Sequence, residues 1–202
     1  MNWVKWNQVR YGFYAPFYDL FLMVLNKKRA KCFSSITFKE GSSVALLGCG
    51  TGLDLEHLPL SSKVYASDLS LQMLQKAHSR GIKTGFNHYS SICMNAEFIT
   101  LKNDSQDYVI LSLILAVVNN PLRCMQEAVR ILKPGGTMMI LDKFIPMGTK
   151  GSLLRRSINP LAKFIATDLT RSLEPILDGL PLSVVEDQSV FKVFRFVKLK
   201  KK

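Results

Sequence analysis

The sequence contains few residues suited to metal binding or to disulfide chemistry. Its four cysteines form no Cys-x-x-Cys pair and lie too far apart for a zinc site or a secreted disulfide framework. The three histidines, His57, His78 and His88, have no partner at the spacing of metal ligands. We therefore expect a protein of a reducing, intracellular compartment that holds no metal ion.

Long hydrophobic runs and internal repeats are also lacking. Uncharged apolar runs such as Ile110–Val118 have nine residues, whereas a membrane-spanning helix needs roughly 20. Residues 1–6 do not show the charged and apolar regions of a secretory signal. With 202 residues, the chain is long enough for one domain with a full core. A single cytoplasmic domain is expected, and any membrane contact must be peripheral.

Acidic residues are scarce at both ends of the chain. The formal net charge is +12, divided into +5 for residues 1–40, +1 for residues 41–149 and +6 for residues 150–202. This pattern predicts a neutral core between basic segments that face an anionic partner, either lipid headgroups or nucleic acid. Charge that merely keeps the protein soluble explains it equally well.

Apolar runs alternate with helical periods, which is typical of an α/β fold built on a parallel sheet. The last two strands are separated by a short turn and should be an antiparallel addition. The predicted strands are residues 43–48, 63–67, 91–95, 107–114, 136–142, 181–186 and 190–198, and the predicted helices are 52–58, 70–80, 121–132 and a stretch within 151–177.

A further amphipathic helix is predicted for residues 13–25. Apolar residues from Phe13 to Leu25 recur at helical spacing, and a cationic cluster follows at Lys27–Lys31. An interfacial helix on anionic lipid has this pattern, and so does an ordinary helix that docks on the sheet.

The strongest motif is the segment Val44–Gly52, in which an apolar strand runs into Gly-x-Gly-x-Gly and then a helix. Glycines at such a turn let the backbone approach a ligand closely. A second apolar strand ends in Ser67 and Asp68, and an acid there can accept both hydroxyls of a ribose. The dinucleotide fingerprint would need a third glycine at Leu53, so the spacing favours a nucleoside ligand without a pyrophosphate.

At these residues the sequence resembles the class I S-adenosylmethionine (SAM) methyltransferases. The resemblance covers about residues 43–143 and implies their Rossmann-like seven-stranded sheet, mostly parallel, with SAM as the methyl donor and S-adenosylhomocysteine (SAH) as the product. Four blocks occur in the family's order: Leu47–Gly52, Ser67–Ser70 followed by Met73 and Leu74, Asp107–Ile110, and Leu132–Gly136.

The resemblance also implies which residues hold the cofactor. The three glycines would approach the methionyl part of SAM, Asp68 would bind the ribose, and the remaining residues would flank the adenine or complete the site. The predicted cofactor-binding residues are Gly48, Gly50, Gly52, Asp68, Leu69, Met73, Asn95, Ala96 and Ser112.

Two positions depart from the family's pattern. Leu46 stands where an acid is usual and cannot replace a carboxylate at the methionyl ammonium, although Asp54 could compensate for it. Asn95 replaces the usual Asp at the adenine edge but can still accept a hydrogen bond.

A narrower resemblance links Tyr11–Asp19 to the opening of bacterial phosphatidylethanolamine N-methyltransferases, although quinone methyltransferases share a Tyr-Asp near this point. An amine nucleophile must arrive deprotonated, and Tyr18 or Tyr14 could accept its hydrogen bond. Tyr11, Arg155 and Arg156 are candidate substrate-binding residues, the arginines because a guanidinium matches phosphate oxygens. Packing and surface charge are the alternative roles of these residues.

The sequence thus predicts one methyltransferase domain: residues 1–40 as a lid that binds the membrane, 41–149 as the SAM-binding core and 150–202 on the substrate side. We expect methylation of a phospholipid amino headgroup at an anionic membrane surface, with the protein cytoplasmic and peripherally bound. A quinone or soluble metabolite is the alternative acceptor. A basic nucleic-acid-binding protein is disfavoured because the segment after the fourth strand lacks an Asn/Asp-Pro-Pro-aromatic motif.

Overall fold

The structure is a computed structural model that describes residues 3–16, 18–22, 25–145, 153–165, 167–191 and 194–202. Three helices precede the sheet: α1 (Trp3–Tyr14), α2 (Tyr18–Leu22) and α3 (Asn26–Ser34). The central elements are β1 (Ser43–Leu47), a 3₁₀ helix (Leu53–His57), β2 (Lys63–Asp68), α4 (Leu71–Thr84), β3 (His88–Cys93), β4 (Gln106–Ser112), α5 (Pro121–Ile131) and β5 (Leu132–Lys143). The chain continues with α6 (Leu153–Ile165), α7 (Glu174–Leu177), β6 (Leu182–Phe191) and β7 (Phe194–Lys201).

The strands form one sheet of seven in the order β3-β2-β1-β4-β5-β7-β6. The first five are parallel, and β7 pairs antiparallel with both β5 and β6. The predicted fold class, with its antiparallel C-terminal addition, is confirmed. The direction of the strand order reverses between β1 and β4, and ligands of such sheets bind outside the carboxyl ends of the strands at that point.

Two apolar clusters cover the two faces of the sheet. One packs α5, through Cys124, Met125 and Ala128, against β4 and β5. The other packs α3 and α4, through residues such as Phe33 and Leu74, against β1 and β2. Because the central strands are buried on both faces, they read as continuous apolar runs rather than alternating ones.

Local signals placed several elements correctly. Asn120 caps α5 by accepting a hydrogen bond from the backbone N–H of Arg123 at 2.9 Å, and Pro121 follows in the first turn. Such a cap contributes about 1 kcal/mol to helix stability. Several strand boundaries differ from the prediction. The fourth strand ends at Ser112, two residues earlier than predicted, because Leu113 has a φ of +60° and turns the chain. The third strand begins and ends earlier than predicted, and the fifth begins earlier.

The prediction of one amphipathic helix across residues 13–25 is wrong in detail. The N-terminal segment is helical, but α1 ends at Tyr14 and α2 begins at Tyr18. Pro16 lies in the intervening turn, where it has no N–H to continue the helix. Phe13 is exposed whereas Leu25 is buried, so the predicted face does not lie on one side. Phe17, Val24 and the side chain of Phe21 lie outside the described residues.

Candidate cofactor and methyl-acceptor site

A cavity lies at the carboxyl ends of the parallel strands, where the strand order reverses. Its floor comes from the loops after β1, β2 and β4, and α1 and α2 cover it. The predicted site residues among its lining are Tyr11, Tyr18, Gly48, Gly50, Asp68, Leu69, Met73, Asn95 and Ala96. The fold therefore brings together most of the residues that the motifs indicated.

The glycine loop forms the part of the wall that needs close backbone approach. Gly48 and Gly50 have φ angles of +65° and +55°. A Cβ atom on Gly48 would lie 2.3 Å from Cδ1 of Ile114, and one on Gly50 would lie 3.3 Å from the ring of Tyr18. Gly52 instead faces α4, where a Cβ would lie 3.0 Å from Cα of Ala77. Gly52 therefore serves packing between the loop and α4, outside the described lining of the cavity.

Asp68 connects the glycine loop to the start of α4. Its two carboxylate oxygens accept hydrogen bonds from the backbone N–H groups of Gly50 and Ser70, both at 2.8 Å. Burial raises the pKa of this carboxyl, while the backbone donors oppose the rise. An acid oriented in this way can accept hydrogen bonds from the two hydroxyls of a ribose.

The opposite end of the cavity suits an adenine ring. Leu69, Met73 and Ala96 give it apolar walls. The side-chain oxygen of Asn95 accepts a hydrogen bond from the backbone N–H of Glu97 at 3.0 Å. An amide oxygen has two lone pairs, so Asn95 can also accept a bond from a ligand. The apolar walls, the aligned amide and the glycine loop fit SAM.

Tyr11 and Tyr18 line the cavity, with ring centroids 6.4 Å apart, whereas Tyr14 lies outside its described lining. Burial raises the pKa of both lining phenols well above the usual value. Both rings therefore carry a neutral hydroxyl at physiological pH. They can donate and accept hydrogen bonds but do not act as bases.

The predicted arginines lie on α6, away from the described lining of the cavity. Arg155 is half-buried and Arg156 is exposed. Their role in substrate binding stays a prediction, because neither arginine lies in the described lining of the cavity.

A second, smaller cavity adjoins the first and is named here the side cavity. Tyr18, Gly48, Gly50 and Leu113 line both cavities. The side cavity is completed by Leu22, Arg29, Cys49, Thr51, Leu53, Asp54 and Ser112. Ser112, predicted to touch the cofactor, thus lies at this second cavity.

Asn7, a residue of α1, also lies in the cavity wall, although it was not among the predicted site residues. Asn7 is 8% exposed, and its amide nitrogen donates a hydrogen bond to the carbonyl oxygen of Val117 at 3.2 Å. Its amide oxygen is buried and has no hydrogen-bond partner among the described residues. No motif marks this residue, because α1 lacks a clear apolar face and its contact with Val117 spans 110 positions.

Two further features of the described residues bear on function. They contain no cluster of His, Cys, Asp and Glu side chains that could hold a metal ion. Nor does any helix among them have the length and apolar character needed to cross a bilayer.

Comparison with known proteins gives a family match and several methyltransferase relatives. Residues 46–140 match the family described as a methyltransferase domain. The thiol S-methyltransferase TMT1B of Rattus norvegicus is 29% identical over 149 residues, which cover 70% of this chain and 61% of the rat protein. The phosphatidylethanolamine N-methyltransferase of Cereibacter sphaeroides is 25% identical over 163 residues, covering 78% of this chain and 80% of that protein.

Solved structures share the fold. The SAM-dependent methyltransferase of Aquifex aeolicus superposes with a TM-score of 0.66 at 21% identity, over 85% of this chain and 88% of that one. With the glycine loop, the match over residues 46–140 shows a methyltransferase domain in that part of the chain, on the fold that SAM-dependent methyltransferases share.

Proposed function

We propose that this protein transfers methyl groups from SAM to the amino headgroup of a phospholipid at an anionic membrane surface. The observation that carries the proposal is an exposed apolar surface on the two helices that stand beside the cavity. α1 covers the cavity, and α6 holds α1 in place.

The contact between these helices is specific. The indole N–H of Trp6 donates a hydrogen bond to the carbonyl oxygen of Phe164 at 2.8 Å, and the two rings stack at 4.7 Å. Arg10 donates to the carbonyl oxygens of Lys163 and Phe164, both at 2.8 Å. α1 is thereby fastened to the last turn of α6.

Large apolar side chains of both helices point to solvent. Val9 and Phe13, one turn apart on α1, are 66% and 76% exposed, and Leu153 and Leu161 of α6 are 79% and 62% exposed. Contiguous exposed apolar patches of more than a few hundred Å² often mark contact sites for proteins or membranes. We call these four residues the α1–α6 apolar surface.

Basic residues occur in the same segments. Lys27 and Lys28 lie in the first turn of α3, and Arg156 and Lys163 lie on α6, all exposed. Apolar side chains flanked by cations are the pattern of helices that lie in the headgroup region of anionic membranes. A phospholipid could then reach the cavity without leaving the bilayer surface.

The cavity can also position an amine. The buried amide oxygen of Asn7 lacks a partner among the described residues, and an amine N–H is a suitable donor to it. Burial disfavours a charged ammonium, so entry into the cavity lowers the amine's pKa toward the reactive, neutral form. SAM, when bound, supplies a methyl group already activated by its positively charged sulfur. The protein's task is therefore to align the amine and exclude water.

The test is incubation of the purified protein with methyl-labelled SAM and a total bacterial lipid extract, followed by thin-layer chromatography. We expect label in methylated aminophospholipids, and its loss in an Asp68→Ala control. Label in a neutral quinone fraction, or only in an added thiol, would contradict the phospholipid acceptor while leaving SAM-dependent methyl transfer in place.

A further inference from the structure

A third cavity, named here the polar cavity, lies between α1, the last turn of α6 and the segment after β4. The charged residues in its described lining are Arg10, Lys163, Asp168 and Arg171. Three cations and one carboxylate therefore line the same space, whereas charges that are removed from water are usually balanced by a partner of opposite sign. This excess of positive charge favours an anionic ligand.

The carboxylate of Asp168 neutralises only part of this charge. Its Oδ1 atom accepts hydrogen bonds from the backbone N–H and the hydroxyl of Thr170, both at 2.9 Å, and from the side-chain amide of Asn159 at 3.1 Å. Burial opposes the charge of this carboxyl, but these bonds hold its pKa below the usual value. Its Oδ2 atom lies 3.7 Å from Nζ of Lys163 and 3.7 Å from Nη2 of Arg171, which is beyond hydrogen-bond distance for both cations.

Main-chain oxygens hold both arginines in place. Nη1 of Arg10 donates hydrogen bonds to two carbonyl oxygens in the last turn of α6, and Nη1 of Arg171 donates to two carbonyl oxygens of the segment after β4. Burial lowers the pKa of both guanidinium groups, and carboxylates that include Asp168 and Asp142 offset this only in part for Arg171. A bound anion would supply the missing compensation for these buried cations.

The polar cavity shares a wall with the cofactor cavity, the one lined by Asp68 and Asn95. Asn7 and residues 117–119 line both cavities. The buried amide oxygen of Asn7 is the group that the proposed function assigns to the amine of the acceptor. Only two carbon atoms separate the amine of an ethanolamine phosphodiester from its phosphate ester oxygen. The two charged ends of such a headgroup can therefore occupy adjoining cavities.

We propose that the polar cavity binds the phosphate group of the methyl acceptor while the amine of the acceptor enters the cofactor cavity beside Asn7. Arg171 and Lys163 donate hydrogen bonds to phosphate oxygens, and Arg10 adds positive charge from α1. Hydrogen bonds between these cations and a phosphate are charge-assisted, and a phosphodiester carries the single negative charge that the cavity lacks. α1 and α6 also carry the α1–α6 apolar surface, so the bound headgroup stays close to that surface. This inference rests on the proposed function.

The first measurement uses the unmodified protein with SAH bound. Its ligand is glycerophosphoethanolamine, the water-soluble headgroup, so that binding to a bilayer makes no contribution. Isothermal titration calorimetry compares this ligand with ethanolamine and with inorganic phosphate. We expect glycerophosphoethanolamine to bind about 10- to 100-fold more tightly than ethanolamine, as for a gain of charge-assisted hydrogen bonds, and inorganic phosphate to compete with it.

Two results would overturn the proposal. Equal affinities for glycerophosphoethanolamine and ethanolamine would show that the phosphate group finds no partner in the protein. Binding of inorganic phosphate without binding of glycerophosphoethanolamine would assign the cavity to a free phosphate rather than to the acceptor.

The second measurement uses Lys163, the most exposed of the three cations, whose side chain is 50% exposed. Lys163→Gln should weaken glycerophosphoethanolamine binding about 5- to 10-fold, while the affinities for ethanolamine and for SAH change by less than about twofold. Lys163→Arg keeps the positive charge and should restore most of the lost affinity. An equal loss for ethanolamine would mean that Lys163 only supports α6, which would contradict the assignment.

The matched control is Lys133→Gln. Lys133 is also half-exposed and forms an ion pair with an aspartate, Asp107, at 2.8 Å, but it lies at the amino ends of β4 and β5, outside the described lining of both cavities. This variant should bind every ligand as the unmodified protein does. A loss of glycerophosphoethanolamine binding as large as that of Lys163→Gln would show that net charge, rather than the polar cavity, determines the affinity.

The lipid-labelling experiment separates this inference from the proposed function. Binding of glycerophosphoethanolamine that depends on Lys163, without labelled lipid, would support the phosphate site and refute methylation of the phospholipid. Labelled aminophospholipid without a preference for glycerophosphoethanolamine over ethanolamine would refute the phosphate site and leave the proposed function in place.

Discussion

At the scale of single residues, Asp68 has a structural role in the glycine loop and a proposed role in binding the ribose. Two substitutions of this residue test these roles. Its carboxylate orders the glycine loop and the start of α4 through two backbone donors, and it faces the cavity. Asparagine keeps one side-chain acceptor for those donors, while alanine removes both. The residue is thus a probe of both the loop and the ribose contact.

We expect Asp68→Ala to weaken SAH binding by about 100-fold and Asp68→Asn by about 10-fold, because charge-assisted hydrogen bonds to the ribose are lost. Calorimetric titration with SAH measures both, and the control is Glu40→Gln, an exposed residue outside the described lining of the cavity. Unchanged affinity in the alanine variant would exclude a ribose contact.

A second residue-scale prediction concerns acid stability. Hydrogen bonds from Arg130, at 2.8 and 3.0 Å, hold the pKa of the Glu127 carboxyl below its usual value. A lowered folded pKa means that the stabilisation is present above the unfolded pKa, near about 4.3, and is lost as pH falls through the folded pKa. Glu127 also accepts a hydrogen bond from the backbone N–H of Ile99, so α5 and the loop before β4 depend on it.

Glu127→Gln should therefore lower the free energy of unfolding by about 1–3 kcal/mol at pH 7, with a much smaller difference near pH 3. Urea denaturation at the two pH values measures this. Glu40→Gln again serves as the exposed control and should change neither value. A difference that does not depend on pH would show that the charge of Glu127 contributes nothing.

At the scale of elements, α1 contacts α4, α6 and the segment after β4. Trp6 and Arg10 fasten it to α6, and Asn7 fastens it to the segment after β4. Among the side chains that the structure describes, none from α1 belongs to either apolar cluster. A helix held in this way can open without disturbing the core.

Trp6→Ala removes both the ring stacking on Phe164 and the indole hydrogen bond. We expect faster amide hydrogen exchange throughout α1 and a several-fold faster release of SAH, with the thermal midpoint of the core nearly unchanged. Hydrogen-exchange mass spectrometry and stopped-flow release measure these. Val9→Ala, on the solvent side of the same helix, should alter neither, and equal protection of α1 in both variants would show that Trp6 does not fasten it.

At the scale of the whole molecule, the charge and the exposed apolar residues should act together. Phe13→Asp with Leu161→Asp should reduce binding to vesicles that contain anionic phosphatidylglycerol by more than about tenfold, because each buried apolar side chain contributes about 1.5–3 kcal/mol. Leu60→Asp with Ile82→Asp makes the same change at exposed apolar residues elsewhere. Co-sedimentation at low and high salt measures binding, and equal losses in both pairs would contradict the α1–α6 apolar surface.

The parts of the fold and of the site that could be predicted from the sequence are those specified by a few adjacent residues. The glycine loop, the end of β2 and the α5 cap could be identified from a few adjacent residues, because turn geometry and capping are decided within one or two turns of chain. The N-terminal segment could not, since the apolar period that runs through residues 13–25 is interrupted by Pro16. Packing against α4 and α6, rather than the period, determined where α1 lies.

Local patterns and chain order are enough to specify the doubly wound core, the glycine loop at Gly48 and Gly50 and the acid at Asp68. The position of Asn7 in the cavity wall and the contact of Arg29 with Asp54 beside the glycine loop are specified only by the folded chain. Those contacts join segments that are distant in the chain, and no local period or propensity specifies such a meeting. They depend instead on how the N-terminal helices pack over the edge of the sheet.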